Sequence, residues 1–260
     1  MVHRAVNHVT VNGGGGGSTR EDVLEAVSEL SKYYRGGGKL VVDRLDVYGA
    51  RAGGVASVRA RVRVARGNIS IPVDALCTGL ALLAGVVGGP GAAAAVAGVC
   101  EALAQLARAA GYSSVNILAV PIVNLRYVGG PAPVDVRVAR LDYHSVVGGG
   151  PSPTYEPGES ATLYPGDILQ IWYLFALEGD TIDVVYDIAL KESGSYSFEL
   201  ETRHYEFRLG WPPVYEAVDD AKQFALELAP SPAERPAILA RALVAAAVGA
   251  PVLVALARRR

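Results

Sequence analysis

The sequence predicts an α+β protein built around an antiparallel β-sandwich, jelly-roll-like or Ig-like, and three observations carry that expectation. Between residues 115 and 210, short alternating runs are cut by turn signals at Pro165-Gly166, Glu178-Gly179-Asp180 and Glu192-Ser193-Gly194. That gives strands at a spacing of about 8–12 residues. Upstream, Leu40 to Tyr48 and Val55 to Ile71 read as a long β-hairpin, while helical patterns are confined to the flanks and to one apolar segment. The sequence divides accordingly into 1–17 (strand and Gly tether), 18–114 (helix, hairpin, apolar helical hairpin), 115–210 (sandwich) and 211–260 (C-terminal helices).

Composition narrows the function. With 51% apolar and 19% charged residues over 260 positions, the chain can bury a sizeable core and is not of the disordered class. Its 24 basic and 26 acidic side chains leave a net charge of −2, which argues against a general nucleic-acid binder. The 30 Gly and 15 Pro sit in discrete runs as punctuation between patterned segments. Only Lys32, Lys39, Lys191 and Lys222 are lysines and Met1 is the sole methionine, a usage that fits a thermophilic source and equally a GC-rich genome.

Taken in order, residues 3–11 alternate loosely around Val6, Val9 and Val11, and the run Gly13 to Gly17 then reads as a flexible tether. A phosphate-cradling loop is the sharper reading of Gly13 to Thr19, but no Walker lysine follows. Ser18 and Glu21 have capping-box spacing before Val23, Leu24, Val27 and Leu30, so a helix starts there and ends at Gly36-Gly37-Gly38. In the hairpin, Val58, Ala60, Val62 and Val64 alternate with Arg59, Arg61 and Arg63. The arginine row is either a surface for a polyanion, nucleic acid included, or for an acidic partner, or else a solvated face partly neutralised by Asp43 and Asp46, and the balanced charge favours the last.

Ala75 to Cys100 is a 26-residue run without charge, broken by Gly88-Gly89-Pro90-Gly91. The breaker predicts a helical hairpin instead of one bilayer-spanning helix. Cys77 and Cys100 then face each other across it, either as a disulfide or as two buried thiols. Leu80, Leu83, Val86 and Val96 are its candidate membrane or subunit contacts, with plain intradomain core as the competing role. Pro213 to Leu228 carries Val214, Val218, Ala221, Ala225 and Leu228 on one helical stripe, with Glu216, Asp219 and Asp220 near its start. The last helix, residues 237–257, presents Leu243, Val244, Val248, Val252 and Leu253 for lipid or subunit contact. It ends in Arg258, Arg259 and Arg260, a basic flank suited to anionic headgroups.

No nucleophile elbow, Cys/His pair or His-Glu-x-x-His helix is present, and nothing calls for a cofactor. Asp142, His144, His204 and Glu206 would form a metal or acid–base site only if their two strands met, and their spacings are not metal signatures. The N-terminus shows no signal-peptide pattern. The leading expectation is therefore a non-enzymatic, self-assembling structural protein of a virion or cell surface, acting as a homo-oligomer with membrane lipid as a further partner. A tail-anchored membrane protein and a metal-dependent enzyme using the His144/His204 region are the rivals.

Overall fold

The computed structural model describes residues 20–50, 54–145, 157–207 and 214–230. The expected strand at 3–11, the glycine tether, the last helix with its apolar contacts Leu243, Val244, Val248, Val252 and Leu253, and the basic tail lie outside the described residues.

Alternation with period two assigns each strand a buried and a solvated face, and two sheets bring their apolar faces together. In the first, β1 (Lys39–Tyr48), β2 (Val55–Arg66), β10 (Thr181–Ala189), β6 (Val134–His144) and β7 (Ser160–Leu163) lie side by side in that order, all antiparallel. The second has the order β12 (Val214–Leu228), β11 (Gly194–Phe207), β5 (Ile122–Gly129), β8 (Ile168–Trp172), again antiparallel. Val58, Ala60, Val62 and Val64 of β2 and Val184, Tyr186 and Ile188 of β10 share one core with Leu125 and Tyr127 of β5 and Tyr196, Phe198 and Leu200 of β11. The fold is thus mostly antiparallel sheet with a few helices.

A third, small sheet, β3 (Ile69–Pro72), β4 (Ser114–Ala119) and β9 (Phe175–Leu177), continues the strands of the other two. β3 follows β2 through Gly67-Asn68, where a Cβ on Gly67 would fall 2.7 Å from the Ile117 carbonyl oxygen. β4 runs into β5 at Val120-Pro121 and β8 into β9 at Tyr173-Leu174. The two corners are clasped by Val120 N donating to Leu174 O (3.1 Å) and Tyr173 N to Pro121 O (3.1 Å). Val120 adopts φ 46° there, a left-handed conformation that costs a β-branched residue on the order of 1–3 kcal/mol. Pro121 therefore marks a corner between sheets, and β5 beyond it is an interior strand.

Helix α1 (Arg20–Ser31) buries Val23, Val27 and Leu30 on one stripe. The helical segment α2 (Leu76–Ala109) doubles back on itself. Twenty-three residues of straight helix would separate two Cα atoms by about 34 Å. Cys77 and Cys100, 23 residues apart, have Cα atoms 5.0 Å apart and are joined by a disulfide. The ion pair of Asp74 and Arg108 (3.2 Å) closes the open end of the same hairpin. Together the helices and the small sheet enclose a second core. Leu80, Leu83, Val86 and Val96 are buried in that core, so these four residues serve the chain's own packing instead of lipid or a neighbouring subunit.

Two expectations are corrected. Residues 214–228 form strand β12, not a helix, because pairing along the whole of β11 overrides the helical spacing of its apolar residues. Nor does a boundary near 114 separate a hairpin unit from the sandwich, since β1 and β2 extend the sheet of β10 and β6 across a shared core.

Candidate functional site

The arginine row of β2 lies on the outer face of the five-stranded sheet, interleaved with carboxylates. Arg61 makes a two-pronged contact with Asp183 at 2.8 and 2.7 Å, and Arg63 makes one with Asp43 at 2.7 and 3.2 Å. Asp43 is the extra residue of a bulge in β1, between the pairs Val42↔Val62 and Arg44↔Arg61. Arg59 stands across from Asp46 in the register. On the far side of β10, Asp187 accepts from Ser57 (2.8 Å) and Arg137 (2.7 Å). The Arg61 hydrogen bonds hold the Asp183 carboxyl below the usual carboxylate range despite its burial. Arg61 and Arg63 thus spend guanidinium donors on neighbouring carboxylates, while Asp46, opposite Arg59, is held by Arg44 at 2.6 Å.

Asp142 and His144 belong to this same outer face. Asp142 pairs with Arg140, and the exposed His144 ring lies 3.4 Å from Asp183. His204 and Glu206 are on β11, in the other sheet, so the four residues do not form one site. Among the described residues no group of three or more His, Cys, Asp and Glu is arranged to hold a metal ion.

His204 and Glu206 instead build a different cluster with two residues that the sequence did not single out for it, Asp219 and Tyr34. His204 Nε2 contacts Glu206 Oε1 at 2.7 Å and Nδ1 contacts Asp219 Oδ2 at 2.7 Å. The Tyr34 hydroxyl donates to Glu206 Oε2, and the Gly38 amide donates to Glu206 Oε1 at 3.2 Å. A β-bulge brings Asp219 in: Thr202 pairs with Asp220 and Arg203 with Val218, so Asp219 is the unpaired residue and its side chain is re-aimed at His204. Gly38 gives the ring its clearance, since a Cβ there would fall 2.7 Å from Nε2 and 2.6 Å from Leu118 Cδ1.

Burial alone would push the imidazole pKa down, but hydrogen bonds to Asp219 and Glu206, with their charges, outweigh it and raise the pKa to about 9. Burial likewise opposes ionisation of Glu206, yet His204 and Tyr34 carry its pKa below the usual glutamate range. The ring is therefore a buried imidazolium held at both nitrogens, which has neither a lone pair for a metal nor a vacant position for a general base. This cluster rivets β11, β12 and the link before β1.

The exposed sheet edges are the remaining candidate surface. Among the described residues β12 pairs on one side only, with β11, and it runs for 15 residues with Tyr215 43% and Val218 57% exposed. β1 is partly closed: Leu40 O accepts from Thr202 Oγ1 (2.9 Å) and Val42 N donates to Asp220 Oδ2 (3.0 Å), stitching it to the opposite sheet. β7 and β8 have only 4 and 5 residues. Among the described residues no helix is long and apolar enough to cross a membrane. No protein-family model matches this chain, and no curated protein matches it in sequence.

Proposed function

We propose that the protein is a non-enzymatic structural subunit that self-assembles into a regular polymer or shell, of the kind that builds a virion or a cell-surface layer. The observation that carries this reading is the 15-residue edge strand β12, whose backbone pairs on one side only among the described residues and which exposes Tyr215 and Val218. An exposed edge of that length is a template for strand pairing between chains unless it is covered. The paired carboxylates around His204 and the ion lattice on the outer face support the same reading, because both are saturated arrangements suited to rigidity.

We also read the sandwich as Ig-like in preference to jelly-roll-like. Taken in chain order, β1, β2, β5, β6, β10, β11 and β12 correspond to strands A to G, since one sheet runs β1-β2-β10-β6 (A-B-E-D) and the other β12-β11-β5 (G-F-C). The helical hairpin with β3 and β4 is then an insertion between strands B and C.

Light scattering coupled to size exclusion, with negative-stain microscopy of the same fractions, tests the assembly reading. Regular polymers or shells in detergent-free buffer are the expected result. A chain that stays monomeric at high concentration, with and without detergent, would overturn it.

A further inference from the structure

We propose that β12 is the acceptor edge of the assembly, and that it is extended by residues 3–11 of a second copy of this chain adding as a strand. The inference rests on the self-assembly reading and names its contact.

Elimination among the edges points to β12. Strand addition gains one set of backbone hydrogen bonds per residue pair, so a short edge offers little. Among the described residues β7 and β8 are too short, β3 and β9 have 4 and 3 residues, and the first half of β1 is tied to the opposite sheet through Leu40 and Val42. β1 is also interrupted by its bulge at Asp43. β12 carries its own bulge at Asp219 and is tied to β1 through Asp220, so its open stretch is Ala221 to Leu228, still the longest edge left among the described residues, with Ala221, Lys222 and Gln223 exposed on both faces of the strand.

The donor strand lies in the chain that precedes Arg20. An extended chain over residues 3–11 puts Ala5, Val9 and Val11 on one face and Val6 on the other, and its nine residues cover about 30 Å, close to the roughly 26 Å of Ala221 to Leu228. The eight residues 12–19, five of them Gly, span at most about 28 Å, enough to carry a strand from one subunit to the next. Charge is complementary. Residues 1–19 contain Arg4, His3 and His8 with no acidic side chain. On β12, with Asp219 held by His204 and Glu216 by Arg203, Asp220 and Glu227 remain against a single Lys222.

The experiment uses the full chain. The double substitution Val6→Pro/Val9→Pro removes two backbone donors and the extended pairing of the segment without touching the described fold. It is expected to raise the concentration needed for assembly about tenfold or more, with an unchanged Tm. In parallel, full-length protein carrying a photo-crosslinking residue in place of Val9 is assembled with isotopically labelled wild-type chain and irradiated. Crosslinks between labelled and unlabelled copies that map to residues 214–228 are expected. Crosslinks within one copy, or to β1, β7 or β8, overturn the proposal, as does a proline variant that assembles like wild type. In each of those cases the wild-type polymer still stands and so does the self-assembly reading, whereas a monomeric wild type overturns both.

Discussion

His204 sits between two carboxylates at 2.7 Å each, and its protonation is therefore coupled to folding. Its pKa rises from 6.5 to about 9 in the folded protein, so its contribution is complete below about pH 6.5 and is lost as pH climbs through 9. Glu206 acts in the opposite direction: its lowered pKa stabilises the fold above the ordinary glutamate value and fades as pH falls through the depressed one. Wild-type stability in urea should thus decline between pH 6.5 and 9 by an amount on the order of 3 kcal/mol at most. A His204→Gln variant, less stable throughout, should show a much flatter profile in that window, and an equally steep one would remove His204 as the cause. At this scale the sequence was half legible. The two-residue spacing of His204 and Glu206 already put them on one face of a strand, but Asp219 enters through a bulge, and no periodicity announces an extra residue.

Among the elements, α1, the hairpin and most strands follow from patterning because burial of one face decides them locally. β12 does not. Its Ala, Glu, Lys and Leu content suits a helix, and only the 14 residues of β11 with which it pairs, Gly194 to Phe207, make strand the lower-energy state. The doubled helix α2 was legible in its Gly-Gly-Pro-Gly breaker, yet its partner was not, since an apolar stripe does not say whether it meets lipid or the underside of a sheet. The Cys77–Cys100 disulfide spans 23 residues, a loop whose closure contributes about 3 kcal/mol by restricting the unfolded chain. Melting with and without reductant should show Tm falling by several degrees on reduction. An unchanged Tm in protein verified as reduced would mean that packing alone holds the two arms.

For the whole molecule, the joint between sandwich and helical layer is the fully buried Asn68. Its Oδ1 accepts from Ala119 N (3.0 Å), its Nδ2 donates to Tyr205 O (2.7 Å), and its own carbonyl accepts from Arg35 N (2.8 Å) and Gly36 N (3.2 Å). An Asn68→Ala substitution orphans two buried backbone groups and should cost about 2–5 kcal/mol in chemical denaturation. Hydrogen exchange should quicken first in β4 and in the turn after α1. A loss confined to less than about 0.5 kcal/mol would show that the layers are held by apolar contact alone. Sequence reasoning found the sandwich but placed its boundary too late, because pairing between β2 and β10 joins residues more than a hundred positions apart and leaves no local trace.

The closed ring of chain between Cys77 and Cys100 also bears on how the protein survives cleavage. A protease that cuts the backbone once inside that ring produces two polypeptides that stay covalently attached, with Leu80 and Leu83 on one side and Leu103 on the other still sharing a core. Such nicked protein would migrate as a single band until thiol is added, and would keep presenting both ends of the molecule as one body.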